Sequence, residues 1–211
     1  MAVTFDLFGT LVDVDRPEDP AAAVASALCD RGVEVPSDWQ AAYTEQHIDA
    51  PDGAEVLLPV HVAAALRSRG VDTPDSAVRN AVVAAFDPAV DTRAGAVDAI
   101  AAAAEAGPVG LLSNCAVPEL VGRTLIRSTL DRDAFDAIVT SSGCGWRKPH
   151  PNIFRTAADE LGVAPEALCH VGDDPATDGG ITSLGGSFLD VSDRDLEALA
   201  TQLRREGVPE E

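Results

Sequence analysis

Apolar residues recur along this chain at two periods, and the change from one to the other divides it. Near the N-terminus, residues 3–8 form a short apolar run, partly β-branched, interrupted only by Asp6. Such a run predicts a buried strand. A charge inside it is costly unless it meets a partner, so Asp6 is expected where the strand emerges. Gly9 and Thr10 follow at once and turn the backbone away. Over roughly residues 16–90 the period becomes helical. An Ala-rich helix over 21–31 is closed by Gly32, and Ser37 caps a helix through Trp39, Tyr43 and His47. Residues 54–69 are amphipathic and closed by Gly70. Thr73-Pro74 opens a fourth helix carrying Val78, Val82, Val83 and Phe86 at helical spacing. No strand pattern interrupts the four.

Beyond residue 91 the two periods alternate. A helix over 93–106 precedes an apolar run at 108–112 that ends in Ser113-Asn114. A helix over 118–130 precedes a strand at 137–140. The loop 145–149 and a helix over 152–161 lead to a strand at 167–171, which ends in Gly172-Asp173-Asp174. A short helix near Ile181, a strand at 187–191 and a last helix over 193–205 complete the chain, with a frayed acidic end. Strands alternating with helices predict a parallel sheet covered on both faces. The expected fold is therefore α/β: a three-layer Rossmann-like core of residues 1–15 and 91–211. A small all-helical domain, residues 16–90, is inserted after the first strand.

Composition narrows the partners. The 211 residues are 46% apolar, enough for a sizeable core. Thirty-five acids face fifteen bases for a net charge of −20, and the acids are spread along the chain. That charge repels nucleic acid and anionic membranes, so neither is expected as a partner. A dispersed acidic surface almost devoid of lysine suggests a salt-loving source, because at molar salt the Debye length falls to roughly 3 Å and self-repulsion is screened. The melting temperature should accordingly rise with KCl; a flat response would refute this. Cys29, Cys115, Cys144 and Cys169 form no C-x-x-C pair, and they read as small hydrophobes in a reducing compartment. Asp6 breaks the first apolar run, no basic segment precedes it, and no apolar stretch is long enough to span a bilayer. A cytoplasmic protein, monomer or homodimer, is expected.

Four strand ends now carry polar residues: Asp6, then Ser113-Asn114, then Lys148, then Asp173-Asp174 with Asp178 close behind. In a parallel sheet those ends share one edge, where open α/β sheets place their chemistry. The set holds a carboxylate nucleophile, neutral donors, one cation and a group of acids suited to a divalent metal. It fits attack on a phosphate, whose charge must be screened before a carboxylate can approach. Mg²⁺ prefers carboxylate and water oxygens. Lys148 is the only lysine of the chain, kept where a compact point charge differs from arginine's wide fork.

These residues resemble the haloacid dehalogenase-like (HAD) superfamily, motif by motif and in order. The first motif is Asp6-Leu7-Phe8-Gly9-Thr10-Leu11, the second Ser113-Asn114, the third Lys148 within Trp146-Arg147-Lys148-Pro149, and the fourth Gly172-Asp173-Asp174 with Asp178. The helical insert looks like a C1-type cap. The resemblance implies a Mg²⁺-dependent hydrolase of a small phosphorylated metabolite. Asp6 would form an aspartyl-phosphate. Ser113, Lys148 and nearby groups of Leu7, Phe8 and Asn114 would hold the substrate. Asp6, the carbonyl of Phe8 and Asp173 would ligate Mg²⁺, with Asp174 and Asp178 supporting the metal and the lysine.

One position departs from the pattern. Phosphatases resembling this chain usually carry a second Asp two residues after the nucleophile, and here that residue is Phe8. Loss of a general acid costs about 10²–10⁴-fold. An aromatic there is nearer to the 2-haloacid dehalogenases, which attack carbon and use no metal. The Gly-Asp-Asp cluster argues for the metal-dependent reading, with Asp13 or Asp15 as alternative proton sources. The rival readings are a 2-haloacid dehalogenase and a binding protein on a decayed hydrolase fold. His47 and His61 could meet substrate but read as packed helix residues, His150 reads as a helix start and His170 as core. Cys115 lies beside the site without a histidine partner.

Overall fold

A computed structural model describes residues 1–206 apart from 88 and 193. Five parallel strands form the central sheet: β1 (Ala2–Phe5), β4 (Val109–Ser113), β5 (Ala137–Thr140), β6 (Leu168–Gly172) and β7 (Ser187–Asp190). Their order is β5-β4-β1-β6-β7, so β1 lies at the centre. Alternate residues of each strand belong to opposite layers, as the two-residue period requires. Val3, Phe5, Val109, Leu111, Cys169 and Val171 join one apolar cluster, which includes helices α5 (Ala96–Ala106) and α9 (Leu196–Glu206). Ala2, Leu112, Val139 and Leu168 join another, built around α8 (Pro151–Leu161). The expected three-layer α/β architecture is present.

Between β1 and α5 the chain makes a detour. It forms β2 (Val12–Val14), then α1 (Pro20–Cys29), α2 (Trp39–Thr44), α3 (Leu58–Ser68) and α4 (Asp75–Ala85), then β3 (Val90–Thr92). β2 and β3 pair antiparallel, with Asp13 opposite Asp91. The sequence pattern does not predict this ribbon: residues up to 13 read as the loop after the first strand, 14–20 as a polar turn, and the helical insert runs to about residue 90. Two three-residue strands are too short to show a period. Like charges directly opposite one another are unfavourable, so the ribbon is a local place where added salt relieves repulsion.

Helix boundaries shift for identifiable reasons. α3 begins at Leu58 rather than 54, since Pro59 sits in its first turn, where its missing N–H costs nothing. Residues 54 and 55 instead join the lysine loop. Ala54 bridges Trp146, Arg147 N donates to Gly53 O at 2.9 Å, and Glu55 N to Gly145 O at 2.9 Å. α2 stops at Thr44, so His47 lies beyond it, and Asp38 rather than Ser37 stands at its N-cap. The Nε2 of His47 and of His61 donate to the carbonyls of Ala42 and Tyr43, at 2.6 and 2.7 Å, and so staple the insert together. A four-residue helix, α7 (Ser141–Cys144), precedes the lysine loop, and α6 (Leu120–Arg127) is shorter than expected. The predicted helix start at Asp193 and the acidic end after 206 lie outside the described residues. Among the described residues, no helix is long and apolar enough to cross a membrane.

Candidate active site

The central strand delivers the first residue. β1 ends at Phe5, three residues before the apolar run does, and Asp6 is the first residue past the sheet edge, its N–H donating to Val171 O at 2.8 Å. The chain then turns through Gly9 at φ +88°, a conformation that glycine adopts without strain. A Cβ on Gly9 would also stand 2.5 Å from Asp173 Oδ2. The loop is held from outside by Arg93, just past β3, whose guanidinium donates to the carbonyls of Gly9 and Thr10. It is held from inside by Thr10, whose buried hydroxyl donates to Asp173 Oδ1 at 2.8 Å.

Lys148 lies at the middle and is 2% exposed. Its ammonium donates to Asp6 Oδ1 at 2.8 Å and Leu112 O at 2.9 Å, and stands 2.7 Å from Asp178 Oδ1. Three protons meet three oxygens, so the cation is fully used. His170 completes the network from β6. Its Nδ1 is 2.9 Å from the Thr4 hydroxyl and its Nε2 3.2 Å from Asp178 Oδ1. Because the ammonium is already satisfied, we assign the tautomer that donates from Nε2 to Asp178 and accepts at Nδ1 from Thr4. Burial, and secondarily Lys148, holds His170 below its usual pKa, which keeps it neutral. Asp178 is the better-stabilised carboxylate. Burial pushes it up, but His170 and Lys148 outweigh that and leave it well below the usual range. Asp6 ends above its usual value: burial dominates, the Asp178 charge adds to it, and Lys148 offsets only part. Asp6 Oδ2 accepts no hydrogen bond among the described residues.

Oxygens of Asp6, Asp173 and Asp178 lie within 4.8 Å of one another. Hard carboxylate oxygens at this spacing are the donor set Mg²⁺ takes. Gly172 must stay glycine, because a Cβ there would collide with the Asp178 carboxylate.

A family model of haloacid dehalogenase-like hydrolases matches residues 1–180. The chain belongs to this family. Among its HAD relatives, an (S)-2-haloacid dehalogenase of Xanthobacter autotrophicus is 28% identical over 209 residues, covering 96% of this chain and 79% of its own length. Among solved structures, CbbY of Rhodobacter sphaeroides in complex with xylulose-(1,5)bisphosphate superposes with a TM-score of 0.58 at 22% identity, covering 89% of this chain and 84% of its own. A HAD family enzyme of Bacteroides thetaiotaomicron, in complex with magnesium and inorganic phosphate, gives 0.56 at 18%, covering 90% and 92%.

The HAD motifs predicted from sequence meet at one sheet edge, with differences in detail. Asp6, Lys148, Asp173 and Asp178 converge. Asp174 does not join the acidic cluster: it is exposed, and its carboxylate caps the turn at Ala176 and Thr177, so only its main chain reaches Asp178. The Leu7 side chain is fully buried in the core, leaving its main chain alone to face the site. Asn114 is committed elsewhere. Its amide pairs both ways with the Lys148 main chain, at 3.0 and 2.7 Å, and thereby fixes the lysine loop. Ser113 is fully buried, and its hydroxyl has no hydrogen-bond partner among the described residues. Such a group is costly to leave unpaired, and an oxyanion would satisfy it. Burial pushes the Cys115 thiol up to about 11, and its Sγ donates to Val117 O at 3.3 Å, both of which argue against a thiolate nucleophile. The sequence pattern does not reveal the roles of Thr10, Arg93, His170 and Arg16.

Proposed function

We propose that this HAD-family hydrolase is a Mg²⁺-dependent phosphatase of small phosphorylated metabolites, working through an aspartyl-phosphate. The observation that carries the reading is the acidic cluster. Within it, Asp173 brings a second carboxylate oxygen within 4.8 Å of Asp6, one that a metal-free attack on carbon would have no use for. Asp6 Oδ2 is the nucleophile. Lys148 holds Asp6 Oδ1 so that the free oxygen keeps one direction, and it screens the incoming phosphoryl group. The Ser113 hydroxyl and the main-chain N–H groups of Leu7 and Phe8 take up phosphoryl oxygens. Asp6, Asp173 and the Phe8 carbonyl would hold Mg²⁺, which when bound supplies charge for the phosphoryl oxygens. Asp178 has spent most of its lone pairs on Lys148, His170 and the Asp174 N–H, so its part is mainly to position the lysine. Asp174 shapes the turn that carries Asp178. Residues 16–90 act as a cap that covers the site and selects substrate.

The test is turnover of p-nitrophenyl phosphate in high KCl. We expect activity with Mg²⁺ and loss of at least about 10²-fold in excess EDTA, restored by Mg²⁺. Activity indifferent to EDTA would overturn the reading.

Phe8, together with the similarity to a 2-haloacid dehalogenase, favours a second reading in which Asp6 attacks carbon and halide leaves unprotonated. That reading requires halide release from a 2-haloacid in EDTA, which the phosphatase reading excludes.

A further inference from the structure

Two cavities meet beside Asp6. The inner one, about 300 Å³, holds Asp6, Lys148, Asp173 and Asp178. The outer one, about 230 Å³, is walled by Val14, Leu58, Phe86, Val117 and Leu120. Among the described residues, only three line both: Phe8, Arg16 and Asn114. These three frame the passage from the reacting centre to the apolar cleft.

From this junction we infer the substrate class, in a step that rests on the phosphatase reading: monophosphate esters of an apolar, ring-sized group that departs as an anion, namely aryl phosphates. With phosphorus against Asp6 Oδ2, an in-line leaving group extends through the junction into the outer cleft, and the ester oxygen lies within the frame. None of the framing residues gives up a proton there. Phe8 has none to give. An arginine guanidinium stays protonated at any physiological pH, and an amide does not ionise. Arg16 has no ion pair among the described residues, and its Cζ lies 5.7 Å from the Phe8 ring centroid, so it is free to donate a hydrogen bond to the departing oxygen. Neither nearby acid borders both cavities: Asp15 lines only the outer one, and Asp13 is exposed on the ribbon. The departing oxygen is thus hydrogen-bonded but not protonated.

That selects leaving groups by acidity. A phenol ionises near pH 10, whereas water, a guide to alcohols, has a pKa of about 15.7. Without an acid the full difference falls on the bond-breaking step. Size points the same way. An apolar cavity of about 150 Å³ admits benzene, so 230 Å³ suits one ring with substituents. The electron balance is simple. An Asp6 oxygen bonds to phosphorus, the P–O(aryl) bond breaks, and its electron pair leaves on a phenolate that takes its proton from solvent. Water then bonds to phosphorus, the pair of the Asp6–P bond returns to the carboxylate, and water's proton goes to solvent with phosphate.

The decisive experiment compares phenyl with benzyl phosphate, which share the ring and differ in leaving-group acidity, alongside substituted phenyl phosphates and acetyl phosphate. In the wild-type protein kcat/KM for phenyl phosphate should exceed that for benzyl phosphate by at least about 10³-fold, and should fall steadily as the phenol pKa rises. Phe8→Asp, which places an acid at the junction, should raise benzyl phosphate turnover by about 10²–10⁴-fold. Val117→Trp, which fills the cleft, should depress phenyl phosphate and spare acetyl phosphate. Equal wild-type rates on phenyl and benzyl phosphate, or no dependence on phenol pKa, would overturn this inference alone. Hydrolysis of no phosphate, acetyl phosphate included, would overturn it together with the phosphatase reading.

Discussion

Asp6→Asn should lose at least about 10⁴-fold in turnover while keeping, or raising, the melting temperature of the metal-free protein. The first half follows from chemistry. An amide is not a nucleophile toward phosphorus, and removing the covalent nucleophile of an enzyme has the largest effect of any single change at its site. The second half follows from burial. Asp6 is 9% exposed, and burial disfavours its charge more than Lys148 favours it. Asn keeps the shape and an acceptor for Lys148, and it removes the buried charge. The cation does not become an orphan, because Asp178 and Leu112 O remain. Parallel thermal melts and p-nitrophenyl phosphate assays check both halves. A variant that loses activity because it unfolds would count against the assignment, and one that keeps activity would end it.

Lys148 should behave in the opposite way, losing stability and activity together. Lys148→Ala leaves Asp6 and Asp178 facing each other in a buried site with no cation. Breaking a buried pair from one side costs about 3–5 kcal/mol. For a chain of this length that lowers the melting temperature by about 10 °C. Lys148→Arg tests geometry. The ammonium meets three oxygens in a compact arrangement, whereas a planar guanidinium is wider and presents its donors in one plane. We expect the Arg variant to fold better than the Ala variant and still lose at least about 10²-fold in kcat. The comparison is informative because the charge is the same in wild type and in the Arg variant. Wild-type activity in Lys148→Arg would show that only charge matters at this position.

The fold was legible because its strands are apolar runs that end abruptly. Asp6, Ser113 and Asp173 each follow such a run, and a parallel sheet brings those ends together whatever their spacing in sequence. The solitary lysine pointed to the centre of the site for a compositional reason. Other features left no trace. The ribbon of β2 and β3 alternates over three residues, which a turn does equally well. Asp174 and Asp178 are both acids near one strand end, and nothing in their order tells which turns inward; the helical turn beginning at Asp178 decides it. His170 reads as core from its place in a strand and is fully buried; its polar network is what that reading leaves out. Its partner was in view, however: Thr4 and His170 are paired across β1 and β6. Two polar residues buried at matching positions of neighbouring strands are the mark of an internal polar network. Arg16 sits in a polar turn and is exposed, so its place at the junction of two cavities comes only from the folded insert.

The ribbon carries a further consequence. Asp13 and Asp91 are direct partners across it, so the chain leaves and re-enters the sheet domain through two points about 5 Å apart. To the loop that follows β1, all that lies between is the tip of a hairpin, although residues 53–55 of the insert also hydrogen-bond the lysine loop. Lengthening such a tip is cheap, about 0.6 kcal/mol for each doubling, and Arg93 clamps the catalytic loop from the core side of the ribbon whatever stands beyond it. The insert is therefore interchangeable in principle. On the proposed function, a foreign segment with equally close ends that also supplied the lysine-loop contacts of residues 53–55 could be grafted between β2 and β3 and keep the Asp6 loop in place, which would let substrate choice change by recombination as well as by point mutation.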